Sequence, residues 1–592
     1  MNKTGIYSVL AALLLTACAA GPQKPASVLG DEYSYAREYL QWMIRDQMAE
    51  HDIVGLSIAL VDDQRIVWSQ GFGFADEGKD IQAGPQTVYR AGSITKLFTA
   101  TAVMQLVEQG RLDIDHPLRE YVPEFQVHTR FEPSSEVTPR LMMTHHSGLP
   151  SDIVNGMWGD ETASYRDLPE LLKDEYLAFE PGQVRAYSNI AFGLLGLLVE
   201  RVSGLPYNEY VEKRILEPAG MRHAYIGRLR DGGQNAAGYY EQQQRAIPVL
   251  REQPAGGLNA SVEDLAHFAQ LTFRVQSGEV TPVISRAGLK EMQSYQDGHS
   301  AFDMAPAFGF AWAIDDSMGE QVGHLVSHNG GTPMFSSQLM TLPEHKLAVV
   351  VMSNSNSAGR VTADIARKAM ALMLESKTGM VLPENNVTSR NLALSADDLS
   401  RLPGSWSSLF GWVDIERDND SLELSVREDR FSVVRHEDDR LYLEYDLFGL
   451  IPLNFAILNR VGAEYRHIGE RELIVGYVDG KPRQILAQKI RPHVLPEVWR
   501  RRLGAYEVSN AIGAMQLRDV KLVYKDRVLR LDAVLDVTPG EVEAMRFPLD
   551  PVREDVAFVQ GIGRQMGGAL RAVSIDGRDH LVYSGFVFRP AD

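Results

Sequence analysis

The sequence predicts an α+β domain, in which helices and a helical lobe cover an antiparallel sheet, followed by two small all-β, barrel-like domains. Strand patterns near residues 55–76 and 309–354 flank a stretch from about 90 to 300 that consists mostly of helix and loop patterns. From about residue 395 onward, alternating strand patterns dominate. At 592 residues the chain is also too long for one hydrophobic core.

The first unit is expected to span residues 31–385. It starts with an amphipathic helix in 31–50, and "GLSIALVDDQRIVWSQGFGFAD" predicts two strands that turn at 62–64. Four further strand patterns, "GFAWAID", "VGHLVSHNGG", "FSSQLMTLP" and "KLAVVVMSN", precede a helix over 361–376. Strands from both ends of the unit should therefore share one sheet, and the intervening helices form the lobe.

The strand-rich tail contains a weak repeat. "LPGSW" at 402–406 is echoed by "RLGAY" at 502–506, so that a glycine stands two residues before an aromatic residue in both, 100 positions apart. Two barrels over 395–495 and 496–592 are the preferred interpretation. A single larger β-domain is the alternative.

The N-terminus has the features of an export signal. Lys3 precedes an apolar run from Ile6 to Leu15, which is too short to span a bilayer. "LTAC" resembles a bacterial lipobox, which implies a signal peptide over 1–18, lipidation at Cys18 and a tether over 19–30; a plain signal cut near Ala20 is the alternative. Alanine at position 19, directly after the cysteine, resembles the signal for outer-membrane sorting in a Gram-negative cell. We therefore expect a periplasmic protein that touches the membrane only through its lipid anchor.

The charge limits the partners. A net charge of −19 would repel a polyphosphate, so nucleic-acid binding is not expected. With a single cysteine the chain forms no internal disulfide. The expected partner is a small molecule or a peptide.

The stretch "YRAGSITKLF" at 89–98 carries the first candidate chemistry. Ser93 lies at a predicted helix N-terminus, where free N–H groups and the helix dipole suit a developing oxyanion. Lys96 lies one turn further on the same face. It becomes a base only if burial or a nearby cation lowers its pKa from ~10.4. From these residues alone, a capping serine beside a solvent-facing lysine is favoured, because serine is a common helix cap. The alternative is that Ser93 both caps the helix and acts as nucleophile.

The surrounding motifs favour the nucleophile. Residues 89–125 resemble the active-serine helix of the serine β-lactamase and penicillin-binding family, particularly its class C branch. Companion segments follow in the family order: "LMMTHHSGLP" (141–150), "YSN" (187–189), "PAGGLNASVEDLAHFAQ" (254–270) and "HNG" (328–330). The resemblance covers about 31–385 and implies a β-lactamase/transpeptidase-like fold, with lipocalin-like barrels behind it.

The resemblance also implies the roles of the site residues. It assigns catalysis to three residues, Ser93, Lys96 and Tyr187. It assigns substrate binding and oxyanion stabilisation to Ser93, Gly331, Asn189, His328 and Gly330. Tyr187 beside a protonated lysine is expected to have a pKa below ~10. Which of the lysine and the phenol is the main base stays open. A buried structural tyrosine and a hairpin turn at the two glycines are the alternatives.

Two further patterns are assigned no chemistry. "KTG" at 377–379 matches a family motif as a string, but it follows an amphipathic helix, where Gly379 suits a helix stop. His145 and His146 are adjacent, and adjacent residues rarely chelate one metal ion. No metal and no cofactor are expected.

The predicted function is acyl transfer through an acyl-enzyme. His328 stands where many family members have a lysine, which weakens a carboxylate anchor. His-x-Gly is similar to the esterases and D-aminopeptidases of the family, and the latter also carry two C-terminal barrels. We therefore expect an ester or a peptide, including one with D-residues. The alternatives are a β-lactamase or D-alanyl-D-alanine carboxypeptidase, and a non-catalytic binding lipoprotein.

Overall fold

The computed structural model describes residues 21–591 except 132–135, 160–162, 231–233, 297–299, 305–306, 320, 383–389, 409–410, 427–428, 448–450, 454–460, 479–480 and 539–540. The predicted signal peptide and Cys18 lie outside the described residues. The described chain forms a mixed α/β unit followed by two β-barrels.

An antiparallel sheet of eight strands is the centre of the first unit. The strands of this unit are β1 (Gly55–Asp62), β2 (Arg65–Asp76), β3 (Ile81–Gln82), β4 (Tyr89–Arg90), β5 (Tyr225–Ile226), β6 (Gly238–Tyr240), β7 (Gln243–Arg245), β8 (Leu258–Ala260), β9 (Ala307–Phe308), β10 (Ala313–Asp315), β11 (Leu325–Thr332), β12 (Phe335–Leu342) and β13 (Leu347–Ser353). The sheet order is β3-β2-β1-β13-β12-β11-β10-β9. β1, near the start of the unit, pairs with β13, near its end. This pairing confirms the expected sheet, which contains strands from both ends of the unit.

Helices cover both faces of this sheet. The α-helices of the unit are α1 (Ser34–Glu50), α2 (Thr95–Glu108), α3 (Leu118–Tyr121), α4 (Pro139–Met143), α5 (Leu168–Leu172), α6 (Asn189–Ser203), α7 (Tyr207–Val211), α8 (Glu217–Ala219), α9 (Gln253–Gly256), α10 (Val262–Gln276), α11 (Arg286–Met292) and α12 (Gly359–Thr378). α1 and α12 pack together on one face, and α10 packs on the other. Every residue of β12 and β13 is buried as a result, which is why β13 is apolar without alternation up to Met352. β12 is equally buried but also contains four polar residues, Ser336, Ser337, Gln338 and Thr341.

The helical lobe has α2 and α6 at its centre. Both are buried over most of their length, and they pack against each other. Ser188 caps α6 by accepting a hydrogen bond from the Ala191 N–H at 3.0 Å, and Gly204 ends it with φ 78°. Among the described residues no single helix is long and apolar enough to cross a membrane; α6 taken with Tyr207–Ala219, at a bend of 78°, passes on length and composition.

Residues 377–379 lie at a helix end, as predicted. Gly379 has φ 77°, and its N–H donates to Glu375 O at the end of α12. The Lys377 ammonium pairs with Asp62 at 2.5 Å. This segment lies at a helix end and takes no part in the sheet.

The tail forms two barrels, as predicted. The first contains α13 (Ala396–Arg401) and β14 (Asn391–Leu392), β15 (Gly404–Ser408), β16 (Gly411–Asp418), β17 (Ser421–Val426), β18 (Asp429–His436), β19 (Leu441–Leu447), β20 (Ile451–Leu453), β21 (Gly462–Ile468), β22 (Arg471–Val478) and β23 (Lys481–Lys489). Pairing of β18 with β19 closes its sheet. The second, also closed, contains α14 (Glu497–Arg500), β24 (Gly504–Val508), β25 (Gln516–Lys525), β26 (Val528–Thr538), β27 (Glu541–Pro551), β28 (Val556–Val559), β29 (Ala569–Ile575), β30 (Arg578–Tyr583) and β31 (Phe586–Pro590).

The repeated glycine-x-aromatic motif has the same structural role in both barrels. The Trp406 indole N–H donates to Leu402 O at 2.9 Å, and the Tyr506 hydroxyl donates to Arg502 O at 2.6 Å. Each aromatic residue thus ties the first barrel strand to the carbonyl four residues before it. The sequence echo therefore marks equivalent starts of two barrels.

Candidate active site

Ser93 lies in a 3₁₀ turn, Gly92–Ile94, that leads directly into α2. Gly92 has φ 54°, and a Cβ at this position would lie 3.0 Å from the Gly331 nitrogen. The start of the helix therefore approaches the end of β11 closely. The prediction that Ser93 caps the helix is wrong: among the described residues neither the turn nor α2 has a side-chain capping bond, and Ser93 Oγ instead meets the Lys96 amine.

Lys96 is fully buried and has three polar contacts. Its Nζ lies 3.1 Å from Ser93 Oγ, 2.8 Å from Asn189 Oδ1 and 2.8 Å from Ala255 O. The last two atoms only accept hydrogen bonds, so they take both protons of a neutral amine. The nitrogen lone pair then faces the Ser93 hydroxyl. This is the geometry of a base that receives the serine proton.

The Asn189 amide has only one consistent orientation. Its Nδ2 donates to Asp152 Oδ1 at 2.7 Å, and a carboxylate only accepts hydrogen bonds. The amide oxygen must therefore point at Lys96. Asn189 is the first residue of α6, so the helix start and the buried carboxylate together hold the lysine acceptor in place.

The Ala255 carbonyl reaches Lys96 because the lobe helices pack unusually closely against its segment. Thr99 Oγ1 donates to Pro254 O at 2.6 Å, and a Cβ at Gly196 would lie 2.1 Å from Pro254 Cγ. Only glycine permits this approach of α6. The segment 254–256, which belongs to one of the family-like motifs, thus contacts the site directly.

Burial shifts the pKa of the lysine strongly. Desolvation, followed by the positive charge of Arg564, holds the pKa of the Lys96 amine well below its usual range. Asp152 and Glu252 act in the opposite direction to a smaller extent. The amine is therefore suited to be neutral where a free lysine is charged.

Tyr187 lies against the same group, but its pKa moves the other way. Lys96 Nζ is 4.7 Å from the centre of the Tyr187 ring, and the His145 ring packs at 4.3 Å. Burial raises the pKa of the Tyr187 phenol to about 12 in spite of a hydrogen bond with Ser93. The expectation of a lowered pKa is wrong, because the neighbouring lysine is desolvated rather than a fixed cation. Of the two candidate bases, Lys96 has the suitable pKa.

The end of β11 presents its residues alternately to the cavity and to the interior. Asn329 and Gly331 line the cavity that contains Ser93, whereas His328 and Gly330 face away from it and are buried. A Cβ at Gly330 would lie 1.9 Å from Ala91 O, so this glycine permits contact with the chain before Ser93. Gly330, which the resemblance assigns to substrate binding, therefore lies outside the cavity lining. At Gly331 no described atom lies within 4 Å of such a Cβ.

His328 is a neutral residue in this structure. Its Nδ1 donates to Asn329 O at 2.6 Å, and burial lowers its pKa to about 3. The imidazole is therefore no cation at neutral pH. An anchor for a substrate carboxylate at His328 is not supported by this burial.

The adjacent histidines lie in structural surroundings. His145 Nδ1 accepts a hydrogen bond from the Ser188 N–H at 3.2 Å, and His146 Nε2 lies 2.8 Å from Asp303 Oδ1. Among the described residues no group of three or more His, Cys, Asp or Glu side chains is arranged to hold a metal ion.

The second barrel forms one wall of the site, which the sequence motifs did not reveal. Residues 560–568, which we call the Arg564 loop, connect β28 to β29. The Gln565 N–H donates to Ser151 Oγ at 2.8 Å, and the Arg564 guanidinium pairs with Asp152 at 3.3 Å and lies 5.3 Å from the Tyr187 ring centre. Among the described residues that line the cavity of about 670 Å³, Arg564 is the one cationic side chain.

The Arg564 loop is held by extensive docking of the barrel on the first unit. The Asn155 side chain donates to Asn510 O and Gly585 O, at 3.1 and 3.0 Å, and accepts from the Ile512 N–H at 2.9 Å. The Arg251 guanidinium, buried with Glu252, donates to Asn155 O at 3.0 Å. The loop that carries Asp152 is thus fixed from both sides.

The position of Arg564 predicts a change in the pH profile. In Arg564→Met the Lys96 pKa rises, because a repelling cation is lost and Asp152 is left without its partner. A base is active only when deprotonated, so the acidic limb of kcat/KM should move to higher pH by on the order of one unit. Arg564→Lys retains the charge and is expected to move the limb less.

Other titratable groups around Lys96 also affect the pH profile. Among the described residues, the other charged or titratable neighbours are Tyr187, Asp152, Glu252, His145 and His328. Burial raises the pKa of Glu252 to about 7, so it also titrates near neutrality, and the limb is compared between variants in one buffer series. Equal limbs in wild type and Arg564→Met would contradict the prediction.

The sequence profile of the Beta-lactamase family matches residues 40–372, more than half of the chain. The chain belongs to the Beta-lactamase family. The predicted family membership is therefore confirmed.

Relatives within the Beta-lactamase family share part of the chain. Protein flp of Staphylococcus aureus (strain N315) is 27% identical over 325 residues, 53% of this chain and 63% of its own length. The chain thus spans less than two thirds of that relative. Penicillin-binding protein 4* of Bacillus subtilis (strain 168) is 24% identical over 415 residues, 66% of this chain and 87% of its own.

Solved structures of similar proteins have the same fold. The octameric penicillin-binding protein homologue from Pyrococcus abyssi superposes with a TM-score of 0.52 at 25% identity, over 76% of this chain and 99% of that one. SurE with D-Leu superposes with a TM-score of 0.53 at 21% identity, over the same shares of the two chains. The second likeness concerns the fold alone.

Proposed function

We propose that this protein is a serine hydrolase that cleaves an ester or an amide through an acyl-enzyme, with Ser93 as nucleophile. The observation that carries the proposal is the placement of a desolvated lysine whose two amine protons are taken by Asn189 and Ala255. The Ser93 hydroxyl is then the remaining partner of its lone pair.

The proposed reaction uses the groups around Ser93. Ser93 Oγ attacks the substrate carbonyl carbon while Lys96 takes the hydroxyl proton, and the N–H groups of Ser93 and Gly331 stabilise the oxyanion. The leaving group departs with a proton from Lys96, relayed through the protonated Tyr187 hydroxyl. A water molecule then hydrolyses the acyl-enzyme in the reverse sense.

Peptides that contain D-residues, or esters, are the proposed substrates. His328 is buried and neutral, so this protein lacks at that position the cation that a β-lactam carboxylate requires. A structural neighbour was crystallised with D-Leu, which supports a D-amino-acid substrate. Arg564 supports the alternative, a β-lactam or carboxypeptidase substrate, because it is a cation in the described cavity lining and such substrates carry a carboxylate.

A labelling experiment with a substrate panel tests the proposal. A fluorophosphonate should add once to the wild-type chain, and the adduct should map by mass spectrometry to the peptide that contains residues 89–98. D-amino-acid amides, p-nitrophenyl esters and a chromogenic cephalosporin then separate the substrate classes. A chain that neither reacts with the phosphonate nor hydrolyses any of these compounds is the non-catalytic binding protein.

We also propose that the protein is exported and lipid-anchored at Cys18 in the outer membrane of a Gram-negative cell. The apolar run that ends before Cys18 and the lipobox-like "LTAC" support this location. Cells that express the wild type should incorporate radioactive palmitate into the protein, and Cys18→Ser should abolish the label. Undiminished labelling of the variant would contradict lipidation at this residue.

A further inference from the structure

The cavity beside Ser93 continues into the mouth of the second barrel. Its wall on that side consists of large apolar side chains from five barrel strands or their connections: Met515, Leu517, Leu535, Met545, Phe547 and Phe586. Ser93, Asn189 and Gly331 line the opposite side of the same cavity. The candidate nucleophile and the apolar mouth of the barrel therefore share one space.

The barrel interior is filled at one end and open at the other. Along β26, Leu529 and Leu531 are at most 1% exposed, whereas Leu535 is partly exposed. Along the neighbouring β27, Leu549 is completely buried, whereas Met545 is partly exposed. The exposed ends of both strands line the cavity, so the open end of the barrel faces Ser93.

Among the described residues that line this mouth, the charged groups already have partners. Asp152 is paired with Arg564, and Glu175 is paired with Arg571 at 3.1 Å. Burial raises the pKa of Glu175, which reduces its charge further. The surface offered to a ligand beyond the pair at Asp152 is therefore predominantly apolar, and apolar side chains exposed in a concave site are typical of ligand pockets.

We propose that the substrate carries a large apolar group, an alkyl or aryl chain, which binds in the barrel mouth while its carbonyl lies at Ser93. This inference rests on the proposed serine hydrolase function and specifies its substrate class. A cavity of about 670 Å³ is large enough for such a group in addition to the reacting carbonyl. Transfer of the chain from water to the apolar wall provides the binding free energy.

A series of p-nitrophenyl esters from acetate to octanoate tests the proposal. For the wild type, kcat/KM should rise by about threefold to fourfold for each added methylene until the chain fills the mouth. Leu535→Trp obstructs the mouth, and the octanoate-to-acetate ratio of kcat/KM should fall at least about tenfold. Val534→Trp makes the same change on the neighbouring residue, which lies outside the cavity lining, and should leave the ratio as in the wild type.

A binding measurement makes the test independent of turnover. Octanamide should bind to Ser93→Ala in a calorimeter at least about tenfold more tightly than butanamide, and adding Leu535→Trp should remove this difference. Hydrolysis with no dependence on chain length, or equal effects of the two tryptophan variants, would overturn the inference but leave the proposed function. Equal binding of both amides would overturn the inference even if Ser93 proved not to be a nucleophile.

Discussion

Ser93→Ala should abolish the covalent adduct with a fluorophosphonate and lower the hydrolysis of any accepted ester by on the order of 10⁴-fold or more. The lost oxygen is the atom that forms the acyl bond. Its observed partners are Lys96 and Tyr187, and it has no capping role in the described turn, so its removal takes away no structural bond of the helix. The melting temperature should therefore stay within about 2 °C of the wild type.

The controls for this variant separate nucleophile loss from unfolding. Ser400→Ala changes an exposed serine on the first barrel unit and should retain the adduct and full activity. Circular dichroism and thermal melting establish that both variants are folded. An adduct that persists in Ser93→Ala, at Ser151 or elsewhere, would contradict the assignment of Ser93 as the nucleophile.

The sequence was sufficient to predict the features of the site that depend on local spacing. Ser93 and Lys96 are one helical turn apart, so their contact follows from the helix itself. The sheet was predictable because strand patterns occur at both ends of the unit, with mainly helix and loop patterns between them. The strands at the two ends are therefore expected to pair with each other. The equivalent barrel starts at Trp406 and Tyr506 were visible as a repeat.

The errors concern the direction in which side chains and charges face. On β11 the period of two places His328 and Gly330 on one face and Asn329 and Gly331 on the other, and this alternation already argues against a shared substrate surface. A lowered pKa of Tyr187 would require a protonated lysine beside the phenol. Only the folded structure shows that its amine is desolvated and shares its surroundings with Arg564.

The residues that the sequence motifs missed are supplied over long distances or by the main chain. Arg564 meets Asp152 across 412 positions, and this contact depends on how the second barrel docks. The Ala255 carbonyl belongs to the backbone, so the residue type at this position does not indicate that its carbonyl accepts a hydrogen bond from Lys96. Asp152 follows the motif "LMMTHHSGLP" by two residues, and an acidic residue so close to a family segment was the one available hint.

Lys96→Met should lower the rate of acylation by about 10²- to 10⁴-fold while Ser93 remains in place. Methionine fills a similar volume but offers no lone pair of comparable basicity to the serine hydroxyl. Asn189 Oδ1 and Ala255 O also lose their donor, and each buried unsatisfied acceptor costs about 1–3 kcal/mol of folding free energy. Stopped-flow release of p-nitrophenol from a single turnover measures the acylation step directly.

The pH profile separates a loss of the base from a loss of stability. In the wild type, activity falls as the pH drops through the lowered pKa of Lys96, because the amine is then protonated. Lys96→Met has no such group, so its residual acylation should lack this acidic limb. Lys96→Arg retains a cation that stays protonated throughout the pH range of the assay and should be as slow as Lys96→Met, although it still donates hydrogen bonds. An arginine variant with wild-type acylation would show that the positive charge of residue 96, and not its lone pair, assists Ser93.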